Sequence, residues 1–144
     1  MQRPIKRPEQ KITAREILNM AHTHFVTDKS PRSVARHGTC VYTGCGCWVG
    51  FMLTEADAKA MPIGSVPAYW REMDPVMRKI LSHYFDLDDR DTMQVLVAGQ
   101  RFHDGWGQEG EGVTPAGFRH GIRSFCHAMR VALAVFTRPV ATAP

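Results

Sequence analysis

Apolar residues recur along most of this chain at intervals of three and four, the spacing that lines one face of a helix. The clearest run comes late. Phe118, Ile122, Phe125, Met129, Ala132 and Phe136 follow Thr114-Pro115, which opens a helix, and lead to Arg138-Pro139, which ends one. Near the start, Thr13-Ala-Arg-Glu16 has the capping-box spacing and predicts a helix with Ile17, Leu18, Ala21 and Phe25 facing inward, fading before Asp28. Thr54-Glu-Ala-Asp57 opens a short helix that Met61-Pro62 stops. Asp74-Pro75 joins an N-cap acceptor to proline at the first helical position, and Met77, Ile80, Leu81, Tyr84 and Phe85 form the stripe behind it. The acidic run Asp86–Asp91 is no calcium loop, because Arg90 stands at a ligand position and the bend glycine is missing. It reads as a linker whose last acids cap a helix from about Thr92 to Trp106, carrying Met93, Leu96, Val97 and Phe102.

The helical period breaks in one region. Thr39–Thr43 is β-branched and aromatic and predicts a strand, with Gly44-Cys45-Gly46 as a turn. The apolar run Cys47–Leu53 fits either a buried helical turn or the second strand of a hairpin, and periodicity does not separate the two. The expected fold class is therefore α+β and mostly helical, four to five helices around a small strand or β-hairpin. Residues 1–11, with Pro4, Pro8 and a basic start, read as a flexible basic arm ahead of a single globular domain over 12–140. The stretch 105–117 contains five glycines and reads as a loop.

Charge adds a second layer. The net +4 is unevenly spread: residues 1–54 carry eight Lys/Arg against three acids, residues 55–111 carry six against eleven, and from 112 onward there are four arginines and no acid. On the last helix, Arg119, His120, Arg123, His127 and Arg130 fill one sector beside the apolar stripe, with no carboxylate to oppose them. Unopposed like charges at i,i+4 destabilise a helix by roughly 0.2–0.5 kcal/mol each, so such a face calls for an acidic partner. That partner lies either within the fold, at Asp86–Asp91 or Glu109 and Glu111, or outside it. Arginine's planar fork suits carboxylate or phosphate, and Arg119, Arg123, His127 and Arg130 are the candidate binding residues. Signatures of the common nucleic-acid folds are absent, with no zinc-finger histidine pair and no run of aromatics for base stacking. No run of 18 apolar residues occurs, and no apolar segment follows the basic start. A reducing cytoplasm is the expected location.

The densest chemistry is the stretch from His37 to Cys47, which holds three of the four cysteines. Three readings stand open. His37, Cys40, Cys45 and Cys47 are four borderline or soft ligands, enough for a tetrahedral zinc, although Cys-x-Cys is an awkward spacing for one small ion. Alternatively Cys47, after the glycine turn, sits at a helix N-terminus that lowers its pKa, with His103 as general base and Asp104 as an adjacent acid. This is the site of a cysteine-dependent hydrolase or transferase. In the third reading the cysteines are small packed hydrophobes.

The segments Cys40-Val-Tyr-Thr-Gly44, Cys47-Trp-Val-Gly-Phe-Met-Leu53 and Gln100-Arg-Phe-His-Asp104 together resemble a group of small proteins encoded by tailed phages and prophages. That group has a Cys-x-Tyr strand, a glycine turn, a Cys-x-(Ile/Val)-Gly segment and a His-Asp pair near a helix end. Cys45 and the shortened turn depart from its pattern, and the departure weakens the four-ligand zinc site. The resemblance implies a phage origin rather than a reaction, and with it a small accessory protein that binds, and in doing so inhibits, a host protein or nucleoprotein. Nucleic acid itself is the further partner that the basic face would suit.

Overall fold

The computed structural model describes residues 3–30, 42, 47–62, 64–105 and 114–136. Helix α1 (Ala14–Ala21) opens on a complete capping box: the Thr13 hydroxyl accepts from the Glu16 N–H at 3.2 Å, and the Glu16 carboxylate accepts from the Thr13 N–H at 3.3 Å. The helix then widens without interruption into a π-helical turn, His22–Thr27, which the Asp28 N–H closes on the Thr23 carbonyl at 2.8 Å. His24, Phe25 and Val26 are all buried there, and Lys29, at φ 55°, turns the chain away.

The remaining helices start where side-chain oxygens meet free backbone N–H groups. Thr54 caps α2 (Glu55–Ala60), and Asp74 caps α3 (Pro75–Ser82) through the N–H groups of Val76 and Met77. Asp89 accepts from the N–H and hydroxyl of Thr92 at the head of α4 (Arg90–Gly105), and Thr114 caps α5 (Pro115–Phe136) at Gly117. Single 3₁₀ turns occupy Gly50–Met52 and Trp70–Glu72.

Helices α1, α4 and α5 pack on one another, with the π-helical turn against α5. Phe25 lies at the centre. Its ring stacks parallel to Trp48 at 6.3 Å and meets Phe51, Phe118 and His103 at 5.5, 5.7 and 5.4 Å. Trp48 in turn takes Phe125 edge-on at 5.5 Å. The floor of this cluster is set by Gly99 on α4: a Cβ there would fall inside the indole of Trp48, so only glycine lets α4 approach. The buried stripe of α5 is Phe118, Ile122, Cys126 and Leu133, with Phe125 and Met129 half-buried at its edge.

The α+β expectation is corrected. Among the described residues there is no strand and no sheet; the elements are helical throughout. Tyr42 lies in a turn, and Cys47–Leu53 forms a turn and the Gly50–Met52 helix rather than a hairpin strand. The physical reason is visible in Arg3. Its guanidinium donates to the carbonyls of Gly50 at 2.6 Å, Tyr42 at 2.9 Å and Leu53 at 3.4 Å, acceptors that a hairpin ladder would otherwise engage. Gly50 is required for this approach, since a Cβ would sit 2.6 Å from the Tyr42 carbonyl oxygen. The rest of the expected strand (39–41, 43), its turn (44–46), most of the glycine-rich loop and the Arg138-Pro139 stop lie outside the described residues.

The segment read as a basic arm lies along the helices. Arg7 makes a bidentate pair with Asp57, both oxygens at 2.9 Å, and Asp57 also accepts from the Tyr84 hydroxyl at 2.5 Å. The same hydroxyl accepts from the Thr54 N–H, and the Ile12 N–H donates to the Tyr84 carbonyl at 2.7 Å. No helix of the described residues is long and apolar enough to cross a membrane.

Hydrogen bonding from Arg7, opposed by burial and reinforced by Tyr84, holds the Asp57 carboxyl well below its ordinary value of 3.8. The folded state thus binds fewer protons than the unfolded chain in acid, and the stability this group contributes at neutral pH is lost as pH falls below about 4. Asp57→Ala is expected to lower the unfolding free energy by about 2–3 kcal/mol and to flatten the loss of stability below pH 4. Urea titrations at pH 7 and pH 3 measure both.

Candidate functional site

The residues singled out by sequence fall into two environments. Cys47, His103 and Asp104 belong to the interior. Cys47 is 2% exposed and precedes a three-residue 3₁₀ turn, not the N-terminus of an α-helix. His103 is wholly buried between Phe25 and Phe118, and its Nδ1 lies 2.8 Å from Asp104 Oδ1. Asp104 therefore reaches the ring of its neighbour in sequence. A thiol and an imidazole buried to this degree meet a substrate only if the core opens. Cys126, the fourth cysteine, has no exposed surface, and burial, partly offset by Arg130, pushes its thiol up to about 11.

Of the zinc candidates, His37, Cys40 and Cys45 lie outside the described residues. Among the described residues, no three of His, Cys, Asp and Glu converge in a way that could hold a metal ion.

Arg119, Arg123, His127 and Arg130 belong to the surface. They lie at i, i+4, i+8 and i+11 on α5, a stripe about 80° wide and about 16 Å long at 1.5 Å per residue. Arg123 and His127 are exposed; Arg119 and Arg130 are half-buried. The row borders α1, where Arg130 donates to the Asn19 side chain at 2.8 Å. His22, one turn further along, has its pKa lowered by burial first and then by the charges of Arg130 and Arg123. No carboxylate among the described residues pairs with Arg119, Arg123 or Arg130, and Asp86–Asp91 do not serve them. Glu109 and Glu111 lie outside the described residues. The sequence analysis does not single out His22; the signal available was its three-residue spacing from Asn19 on the polar side of α1.

A third feature carried no motif. A groove of about 610 Å³ runs between the Ala68–Trp70 segment and the outer face of α4, where Met93 and Val97 line it. Trp70 at its edge is flanked by the guanidinium groups of Arg71 and Arg78, 5.6 and 5.7 Å from the ring. The chain matches no protein-family model, no curated protein and no solved structure.

Two outcomes follow from the interior site. In native protein at pH 8, iodoacetamide leaves Cys47 and Cys126 unmodified while both react in urea, read by peptide mass mapping; rapid native labelling of Cys47 would restore the nucleophile. Gly99→Ala displaces Trp48 and is expected to lower stability by about 3 kcal/mol, read by chemical denaturation.

Proposed function

We propose that this chain is a phage-type accessory protein that works by binding, in the host-cell cytoplasm, an acidic host protein or nucleoprotein through the basic seam of α1 and α5. The observation that carries the reading is the row of Arg119, Arg123 and Arg130 along α5, which no carboxylate among the described residues opposes. Beside the row, burial first and then the charges of Arg130 and Arg123 disfavour the charged form of His22. A surface that stores like charge in this way gains most when an external anion is laid across it. The row on α5 repeats about every 6 Å, one helical turn, and so offers a linear track rather than a single anion pocket. The sequence resemblance to phage proteins supports the origin, and the burial of Cys47 and His103 favours binding over thiol chemistry.

Heparin and poly-glutamate serve as probes of the seam. Arg119→Glu, Arg123→Glu and Arg130→Glu combined, with folding checked by circular dichroism, should weaken retention on both at least tenfold and flatten its dependence on NaCl. Unchanged retention and salt slope would sink the proposal. The His22 titration gives an independent reading. Because its charged form is disfavoured in the free protein, the imidazole titrates below 6.5; a bound polyanion removes the repulsion and raises that pKa, so binding strengthens as pH falls from 7 to 5.5. Proton NMR of the His22 ring, with and without heparin, measures the shift.

A further inference from the structure

The groove beside α4 has features that the basic seam does not use. It continues into an adjoining cavity of about 320 Å³, and the two share Ala68, Val97 and Arg101, so the depression is elongated along the helix. Its floor is apolar, made by Leu87, Met93 and Val97. Its outer wall is aromatic: Tyr69 is 67% exposed and Trp70 is half-buried against the core. The chain along that wall is not helical from Ser65 to Ala68, and Gln100 holds it to α4 by accepting from the Val66 N–H at 2.9 Å. The N–H and carbonyl of Ala68, on an exposed residue, bond to no other described residue.

Charge is distributed unequally along this groove. Asp88 and Asp89 stand at the head of α4, with Arg90 beside them. Arg101 stands at the other end, about 18 Å from Asp89 at 1.5 Å per residue, more than two Debye lengths at physiological salt. Arg101 is exposed and pairs with no carboxylate among the described residues. Asp104, which lines the same end, is turned to the His103 ring. A polyanion such as nucleic acid would meet the carboxylates at the head of the groove. A ligand with a single negative group near Arg101 and an apolar body along the floor avoids them.

We propose that this groove binds an extended segment of a partner protein, one aromatic or aliphatic side chain seated on Met93 and Val97 against Trp70, and one acidic residue reaching Arg101. Main-chain pairing with Ala68 sets the direction of the segment, an apolar pocket selects the anchor, and the guanidinium selects the charge. The site is separate from the α1–α5 seam and stands or falls without it.

Selection of a displayed random-heptapeptide library against the folded chain tests this. The expected result is a motif with an aromatic or aliphatic residue followed within a few positions by Asp or Glu. A synthetic peptide carrying it should shift the Trp70 indole N–H and the Ala68 amide in ¹⁵N-resolved NMR. Arg101→Glu should weaken that peptide at least tenfold, and selection on this variant should enrich Lys or Arg in place of the acid. Arg101→Gln should give the same loss without the exchange, which covers any failure of the charge reversal to fold. Arg123→Glu, which damages the seam, should leave peptide binding unchanged. No motif above that found on an unrelated protein, binding indifferent to Arg101, or shifts confined to α1 and α5 would each overturn the proposal.

Discussion

The fold depends on one close approach, the face of Trp48 laid on the backbone of α4 at Gly99. Everything central is fixed by reference to it. Phe25 stacks on the indole from the π-helical turn, Phe125 meets its edge from α5, and Phe51 and Phe118 close around Phe25. Interiors packed to this density respond to a single added methyl group, so one glycine sets the distance between α4 and the segment that carries Cys47. The indole Nε1 is itself buried and makes no hydrogen bond among the described residues. Such an orphan donor carries a cost of about 1–3 kcal/mol, which the surrounding ring contacts offset.

That arrangement sorts the chain's chemistry by depth. The groups with nucleophilic or basic character, Cys47, His103 and Cys126, are buried, His103 between the rings of Phe25 and Phe118, and burial pushes the Cys126 thiol up to about 11. The arginines, by contrast, line both outer surfaces, the α1–α5 seam and the outer face of α4. Helix α4 divides these roles along its own length: Leu96, Gly99 and His103 face the core, while Gln94, Ala98 and Arg101 line the groove. The molecule keeps these thiols and the His103 ring dry and these arginines at the surface.

Much of the helical framework was legible because caps are local. Thr13, Thr54, Asp74, Asp89 and Thr114 act within three residues of themselves, so sequence spacing locates the starts of α1 to α5 to within about two residues. What was not legible is what depends on distant partners. The Cys47–Leu53 run has the composition of a strand, yet it coils because Arg3, far away in sequence, supplies donors to its carbonyls. On α5 the period pointed to Phe125 and Met129 as core, whereas Cys126 and Leu133, outside that stripe, are more deeply buried than either; a stripe read from spacing has an angular width, and packing chooses its centre. The basic row was readable as a charge pattern. Its neighbour His22 was not, since only the packing of α1 on α5 brings it there.

The strap formed by residues 3–12 has a kinetic meaning beyond its contacts. Its anchors, Arg3 to Gly50, Arg7 to Asp57 and Ile12 to Tyr84, join segments 47, 50 and 72 residues apart. Contacts of that separation raise contact order, and the loops they close must be ordered before the contacts reward it. On the ribosome these residues emerge before their partners, with Arg7 and Ile12 unengaged until Asp57 and Tyr84 have left the tunnel. The strap's partners are thus all out before α5, which brings Phe118 and Phe125 to the core, has been made.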